Sequence, residues 1–165
     1  MERLSIIKSK IFTWDHLRKQ LALWRFKEKS IVFSNGCFDV LHLGHVEYLA
    51  KARDLGNILV VGLNSDDSVR RIKGAHRPVN NEDARAITLA AMSFVDAVVV
   101  FGEDTPYELI SMVKPDILVK GKDYEGKEII GSDVVAAGGG QVITIELTKG
   151  YSTTHTIELA QKVHL

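Results

Sequence analysis

Short apolar runs alternate along this chain with longer stretches in which apolar and polar residues follow a helical period. Five of the runs are nearly continuous in Val, Ile and Leu, and they occupy 30–36, 57–63, 96–102, 116–121 and 141–147. Unbroken apolar runs of this length are typical of parallel strands that helices cover on both faces. The pattern therefore predicts five parallel strands.

Helical periods fill the gaps between these strands. They cover about 43–55, 65–72, 81–94 and 105–113, and a final one covers about 153–163. The sequence AAGGG at 136–140 is expected to end a helix and turn into the last strand. Ahead of the first strand, Thr13 is a candidate cap for a helix that runs to about Lys27.

Strands and helices that alternate in this way predict an α/β fold, a Rossmann-like doubly wound parallel sheet with right-handed crossovers. We expect one domain over 1–165, with an appended N-terminal helix in 1–28 and the core in 29–165, since this length suits a single core. Ligands of such sheets bind at the carboxyl ends of the strands, where the winding reverses. The candidate chemistry should therefore follow strand ends.

Composition limits the partners. Twenty-one basic residues balance 21 acidic ones, so no global positive field attracts nucleic acid, and phosphate binding has to be local. The lone Cys37 excludes an intramolecular disulfide framework. No apolar run approaches the roughly 20 residues that span a bilayer. We expect a cytoplasmic protein that does not insert into membranes.

The first strand-to-helix turn, GCFDVLHLGH, carries the most specific pattern. His42 and His45 are spaced i,i+3 on the first turn of a helix, so both can face one polyphosphate. The amides and the positive dipole end of that helix start also suit a phosphate. Gly36 and Gly44 are expected to let the backbone approach the ligand closely. Each histidine could be a neutral donor, a cation, or merely a polar surface group or local cap.

This turn resembles the H-x-G-H signature of the cytidylyltransferase-like nucleotidyltransferases. GYSTTHTIE at 150–158 is similar to their second signature, a Ser/Thr-rich helix start, with Tyr151 where Ile is usual. The match extends over nearly the whole chain from Ile31 onward. Within it, VGLNSDD to EDTP (61–106) and PDILVKGKDY (115–124) resemble the adenylyltransferase domain that makes ADP-heptose from heptose 1-phosphate.

The resemblance implies transfer of AMP from ATP to a sugar 1-phosphate, most specifically D-glycero-β-D-manno-heptose 1-phosphate. The nucleophile is already an anion, so the protein has to align two polyanions and offset transition-state charge. The implied catalytic residues are His42, His45 and Lys73. The implied nucleotide-binding residues are Gly36, Cys37, Phe38, Asp39, Gly44, Arg85, Ser152, Thr153 and Thr154. Candidates for binding the sugar phosphate follow strand ends, namely Asn64, Asp66, Lys120, Gly121 and Asp123.

Several of these residues have an alternative role. Asp39 could orient the loop, hold metal-bound water, or cap the helix entry. Lys120 and Asp123 could bind the phosphate and the sugar hydroxyls or form a buried ion pair. Asp66 could simply cap the following helix. Three further arginines are interpreted as solvated surface charge: Arg70, Arg71 and Arg77.

The expected cofactor is Mg²⁺ held mainly through the ATP phosphates, with no metal site of the protein's own, because the two histidines lack further zinc ligands at suitable spacing. The resemblance also implies a homodimer and a separate heptose kinase in the same pathway. Two other functions are compatible with the signatures. One is a CTP-dependent cytidylyltransferase for glycerol 3-phosphate or a similar small alcohol phosphate, and the other is a non-catalytic nucleotide sensor.

Overall fold

A parallel sheet of six strands forms the centre of the structure, a computed structural model that describes residues 2–122, 126 and 128–162. The strands are β1 (Ile11–Phe12), β2 (Ile31–Gly36), β3 (Ile58–Asn64), β4 (Ala97–Phe101), β5 (Ile117–Gly121) and β6 (Gln141–Ile145). Their order is β1-β4-β3-β2-β5-β6, and every neighbouring pair is parallel. The prediction of a doubly wound, Rossmann-like α/β fold is confirmed.

The five predicted strands are β2 to β6, and β1 is a sixth that the pattern did not predict. It contains only Ile11 and Phe12, which pair with Val98 and Val99 at the edge of the sheet. Two residues are too few to show a strand period. The segment ahead of β2 therefore contributes an edge strand to the sheet, in addition to the expected helix.

Eight helices of the described residues surround the sheet. They are α1 (Arg3–Lys8), α2 (Trp14–Phe26), α3 (Leu43–Asp54), α4 (Asp66–Lys73), α5 (Glu82–Ala90), α6 (Tyr107–Val113), α7 (Ser132–Ala137) and α8 (Thr153–Lys162). Thr13 caps α2 as predicted, since its side chain accepts a hydrogen bond from the amide of His16. The six-residue helices α1 and α7 are too short for a reliable period, although AAGGG does end α7. The predicted helix 81–94 ends at Ala90, because the chain has to turn back into β4.

Two apolar clusters lie on opposite faces of the sheet. Along β3, the buried side chains of Leu59, Val61 and Leu63 pack in the cluster that contains α3 and α5 residues. Val60 points the other way, into the cluster that contains α2 and α6 residues. Side chains alternate across a strand, so a continuous apolar run fills both clusters.

The winding reverses at β2, which lies between β3 and β5. The chain passes from β2 to β3 on one side, and β5 is added on the other side. A crevice at the carboxyl ends of β2 and β5 follows from this order.

Within the described residues, no helix is both long and apolar enough to cross a membrane.

Candidate active site

A cavity of ≈ 600 Å³ opens at the carboxyl ends of the central strands. Asn35 and Gly36 line it from β2, Asn64 from β3, and Lys120 and Gly121 from β5. Further lining residues come from the start of α3, the end of α4 and the loop before α8. The cavity therefore lies where the sheet order places a ligand site.

Most of the sequence-predicted site residues meet in this cavity. Those lining it are Gly36, Cys37, Phe38, Asp39, His42, Gly44, His45, Asn64, Lys73, Lys120, Gly121, Ser152, Thr153 and Thr154. Asp66 and Arg85 are not among the lining residues. Asp123 lies outside the described residues. The two signatures, more than a hundred residues apart in sequence, thus share one site.

The two histidines form a stacked pair at the start of α3. His42 is the N-cap residue in an extended conformation, and the amide of His45 donates to its carbonyl oxygen at 2.9 Å. The ring centroids lie 3.8 Å apart with 23° between the ring planes. The Nδ1 atoms of both rings are buried without a hydrogen-bond partner in the described part of the chain. A buried polar atom of this kind is a natural contact for a ligand.

Both imidazoles are neutral at neutral pH in the unliganded protein. Burial lowers the pKa of His42. Burial, reinforced by the neighbouring His42, lowers the pKa of His45 to about 4. Of the charge states that the sequence left open, the structure therefore favours neutral donors. A polyanion entering the cavity would favour the protonated form again.

Aromatic rings extend the histidine pair on both sides. Phe38 contacts His45 edge-on with a centroid distance of 5.3 Å, and Tyr151 stacks beside His42 at 6.4 Å. A Cβ atom at Gly44 would lie 3.1 Å from Nδ1 of His42, and one at Gly36 would lie 3.1 Å from the ring of Phe38. These two glycines therefore make room for the rings of the site, and their close approach to a ligand stays a prediction.

Asp39 organises the loop between α4 and α5. Its side chain is only 1% exposed, and its carboxylate accepts hydrogen bonds from the amides of Val79 and Asn80 and from Nε of Arg77. Burial alone would raise the pKa of Asp39, but these hydrogen bonds outweigh it and lower the pKa below the usual value. Of the three possible roles, loop orientation is the one that these contacts support.

Arg85 holds protein groups only, which corrects its expected contact with the nucleotide. Its side chain is 1% exposed, and its three nitrogens donate to the carbonyl oxygens of Asn80 and Cys37 and to Oδ1 of Asp66. These bonds use three of the five N–H donors, and the buried side chain does not line the cavity. Arg85 and Asp66 therefore position the loop after β2 and the start of α4.

Cys37 lines the cavity, but its environment does not favour a thiolate. Burial raises the pKa of its thiol despite the opposing charges of Lys73 and Arg85. A raised thiol pKa argues against nucleophilic chemistry.

Among the described residues, no three His, Cys, Asp or Glu side chains cluster closely enough to hold a metal ion.

The second signature lies at the start of α8. Oγ of Ser152 accepts from the amide of His155 at 3.1 Å, and Oγ1 of Thr153 donates to the carbonyl oxygen of Val40 at 3.3 Å. The second contact ties this helix start to the loop that carries the histidines. Two helix N-termini, those of α3 and α8, therefore border the cavity.

Lys120 is the cation on the β5 side. Its side chain lines the cavity although the residue is only 8% exposed, and Nζ donates to Oδ1 of Asn35 at the end of β2. Asn64 also lines the cavity, while its Nδ2 donates to Oγ of Ser68 in α4. Both residues lie at strand ends, as predicted.

Arg77 is the residue that the sequence analysis most clearly assigned wrongly. Arg70 and Arg71 have exposed side chains that pair with Asp67 and Asp104, as expected for surface charge. The side chain of Arg77 is only 18% exposed, pairs with Asp39 and lines the cavity. No local pattern separates these arginines, because the partner of Arg77 lies 38 residues earlier in the chain.

The fold and the cavity place this chain among the doubly wound α/β proteins whose ligand site lies at the switch point between helix N-termini. The cytidylyltransferase-like family model matches residues 33–159, and the chain belongs to that family. The resemblance inferred from the two signatures is thus confirmed.

Curated relatives align with most of this chain. The bifunctional protein HldE of Wolinella succinogenes is 51% identical over 154 residues, which are 93% of this chain and 32% of that protein. Its namesake in Syntrophotalea carbinolica is 55% identical over 91% of this chain and 31% of that protein. This chain therefore spans about a third of the length of these curated relatives.

Solved structures support the same fold. The lipopolysaccharide core biosynthesis protein of Thermoplasma volcanium is 31% identical with a TM-score of 0.60, covering 75% of this chain and 99% of that one. Pantoate-beta-alanine ligase of Francisella tularensis, solved with beta-gamma ATP and beta-alanine, has a TM-score of 0.53 and 17% identity, covering 89% of this chain and 76% of that one. The second likeness concerns the fold alone.

Proposed function

We propose that this chain is a nucleotidyltransferase that transfers AMP from ATP to D-glycero-β-D-manno-heptose 1-phosphate, releasing pyrophosphate. The observation that carries the proposal is the single cavity in which His42 and His45 meet Ser152 and Thr153. The sugar is inferred from the resemblance of 61–106 and 115–124 to domains that form ADP-heptose. The similarity to HldE proteins and to a lipopolysaccharide core biosynthesis protein supports it.

The reaction needs alignment and charge compensation. A phosphate oxygen of the sugar 1-phosphate forms a bond to the α-phosphorus, while the bond from that phosphorus to the bridging oxygen breaks and pyrophosphate leaves with the electron pair. No proton has to be removed from the nucleophile. His42 and His45 would donate hydrogen bonds where negative charge develops, with amides at the starts of α3 and α8 assisting.

We expect Mg²⁺ to arrive with the ATP phosphates, where it would screen their charge. The described residues fit this arrangement, because Mg²⁺ needs few protein ligands and the Asp39 carboxylate is already occupied by protein donors. Asp39 is therefore assigned to the loop and not to the metal.

The sugar phosphate is assigned to the β5 side. Lys120 and Gly121 lie at that strand end, and the ammonium group of Lys120 can contact a phosphate. The assignment of Asp123 to sugar hydroxyls stays a prediction. A kinase reaction would supply the sugar 1-phosphate, and we expect a homodimer that works in the cytoplasm, where ATP is available.

The decisive experiment measures pyrophosphate release from ATP and from CTP with heptose 1-phosphate, glycerol 3-phosphate and other sugar phosphates. We expect turnover with ATP and heptose 1-phosphate. The variant His45→Ala tests the role of His45 in the same assay. Its kcat should fall by on the order of 10²–10³-fold while ATP binding weakens only modestly, which is the usual effect of losing one preorganised donor. Turnover only with CTP and glycerol 3-phosphate would support the cytidylyltransferase alternative. Nucleotide binding without turnover on any substrate would support the sensor.

A further inference from the structure

We infer that Arg77 binds the β- and γ-phosphates of the nucleotide and holds the leaving pyrophosphate, with Asp39 as the residue that positions it. This inference rests on the proposed function and adds a catalytic residue that the sequence patterns did not indicate. It depends on the strap, defined here as residues 74–80, which connects α4 to α5.

The strap is anchored to the loop that carries the histidines. Asp39 follows β2 by three residues, and its buried carboxylate accepts the amides of Val79 and Asn80 at 2.8 and 2.9 Å. Nδ2 of Asn80 donates in return to the carbonyl oxygen of Asp39 at 2.9 Å. Three donors of the strap therefore bind Asp39 and hold the strap against this loop.

Asp39 also fixes the direction of the Arg77 guanidinium. Nε of Arg77 donates to Oδ2 of Asp39 at 2.6 Å, so one edge of the planar group faces the carboxylate. The Nη1 and Nη2 atoms have no partner among the described residues, and Arg77 lines the cavity. A guanidinium held by one edge can offer its remaining donors to phosphate oxygens in a fork.

The sheet order indicates which phosphates this fork meets. The strap follows α4 on the β3 side of β2, Lys120 lies on the β5 side, and the histidines follow β2 itself. In-line displacement puts the nucleophile and the leaving group on opposite sides of the α-phosphorus. Lys73 ends α4, the helix that follows β3, and Arg77 lies in the strap that comes next, and both residues line the cavity. We therefore assign the more highly charged pyrophosphate to these two cations. The β5 side is left for the sugar phosphate.

The test compares ligands that differ in their phosphates. Inhibition constants of AMP and of pyrophosphate, together with kcat and KM for ATP, are measured for the wild type, Arg77→Ala and Arg77→Lys. Loss of a charge-assisted hydrogen bond is worth about 1.5–3 kcal/mol, so Arg77→Ala should weaken pyrophosphate and ATP binding by about 10–100-fold. AMP inhibition should change less than about twofold, since AMP lacks the phosphates concerned. Arg77→Lys should restore part of the loss.

Arg70→Ala is the matched control, because Arg70 is half-exposed, pairs with Asp67 and does not line the cavity. It should leave every constant unchanged. Equal losses for AMP and pyrophosphate in Arg77→Ala would show a structural role and overturn the inference. Unchanged pyrophosphate inhibition would also overturn it.

Asp39→Asn tests the positioning role. With the fold intact in a thermal melt, this variant should lose pyrophosphate affinity but by less than Arg77→Ala, and an unchanged affinity would contradict the role of Asp39. If the variant fails to fold, the Arg77 series alone decides the inference. A wild type that releases no pyrophosphate with any sugar phosphate, yet binds pyrophosphate through Arg77, would sink the proposed function and leave this inference standing.

Discussion

At the residue scale, Gly44 determines how closely the His42 ring can lie over the start of α3. A Cβ atom there would approach Nδ1 of His42 to 3.1 Å and Cβ of Tyr151 to 3.4 Å. The first distance requires the His42 ring to move by a few tenths of an ångström, whereas the second is an ordinary van der Waals contact. The stacked pair of imidazoles therefore depends on the absence of one methyl group.

Gly44→Ala should consequently lower activity without lowering stability. Alanine favours a helix over glycine by up to about 1 kcal/mol, which offsets the tighter contact. Displacement of a donor in the site should reduce kcat by about tenfold or more. Steady-state kinetics and a thermal melt measure both effects. Gly102→Ala is the control, because its nearest neighbour would be 3.6 Å away and it does not line the cavity. An unchanged kcat in Gly44→Ala would show that the His42 position is not critical.

The lowered pKa of His45 predicts a pH dependence of stability. The ordinary pKa is 6.5 and the folded value is about 4, so between these values the unfolded chain binds more protons than the folded protein. The stability present above pH 6.5 is therefore lost as the pH falls toward 4.

His45→Asn should reduce this loss. We expect the unfolding midpoint in urea to fall less between pH 7 and 4.5 for this variant than for the wild type. His16→Asn, on an exposed residue of α2, should behave like the wild type. Parallel curves for the wild type and His45→Asn would contradict the assignment. The contribution of Asp39 to stability is lost in a lower pH range, because its pKa in the folded protein lies below the usual 3.8.

At the scale of elements, Arg85 joins segments that are distant in sequence. From α5 it reaches the loop after β2 through Cys37, the strap through Asn80 and the first turn of α4 through Asp66. These contacts hold one side of the cavity in place. Breaking a buried ion pair leaves an uncompensated charge and unpaired carbonyl groups.

Arg85→Ala should lower the free energy of unfolding by about 3–5 kcal/mol, the usual cost of removing one partner of a buried pair. Urea unfolding measures it. Arg18→Ala, in an exposed pair with Asp15, should cost less than about 1 kcal/mol. A variant of Arg85 that binds ATP poorly at undiminished stability would instead indicate direct nucleotide contact.

At the scale of the whole molecule, the N-terminal segment completes the sheet at the edge away from the cavity. β1 covers the edge of β4, the amide of Val98 donates to the carbonyl oxygen of Lys10, and Nε1 of Trp14 donates to the carbonyl oxygen of Val100. β4 and β3 lie between β1 and the central strand β2. The segment should therefore stabilise the protein without taking part in the chemistry.

Deletion of residues 2–12 should lower stability and leave kcat nearly unchanged. Loss of the partly buried Ile11 and Phe12 should cost about 2–3 kcal/mol, and the exposed edge of β4 should promote aggregation. Deletion of residues 2–8 alone removes α1, which buries no residue, and should cost less. Denaturant unfolding, light scattering and kinetics test this. A large fall in kcat in the longer deletion would show that the edge strand supports the cavity.

The sequence by itself determined the five long strands, the switch-point location and the family. Each depends on local information: continuous Val, Ile and Leu runs mark strands covered on both faces, and parallel strand ends converge by topology. The turn at His42 and His45 could also be recognised from the sequence, because the spacing of the two histidines and the start of the helix are local features. The pattern did not predict β1 or the short helix α1, because each contains too few residues to show a period.

Only the tertiary structure decided which charged residues work together. Arg77 and Arg70 look alike in sequence, yet only Arg77 meets the buried Asp39, 38 residues away. Arg85 reaches Cys37 across 48 residues and is thereby withdrawn from the cavity. Gly44 likewise makes room for the ring of His42, a contact that no local pattern shows. Periodicity records which face of an element is buried, whereas the partner of a polar group depends on how distant segments pack, and that appears only when the chain is folded.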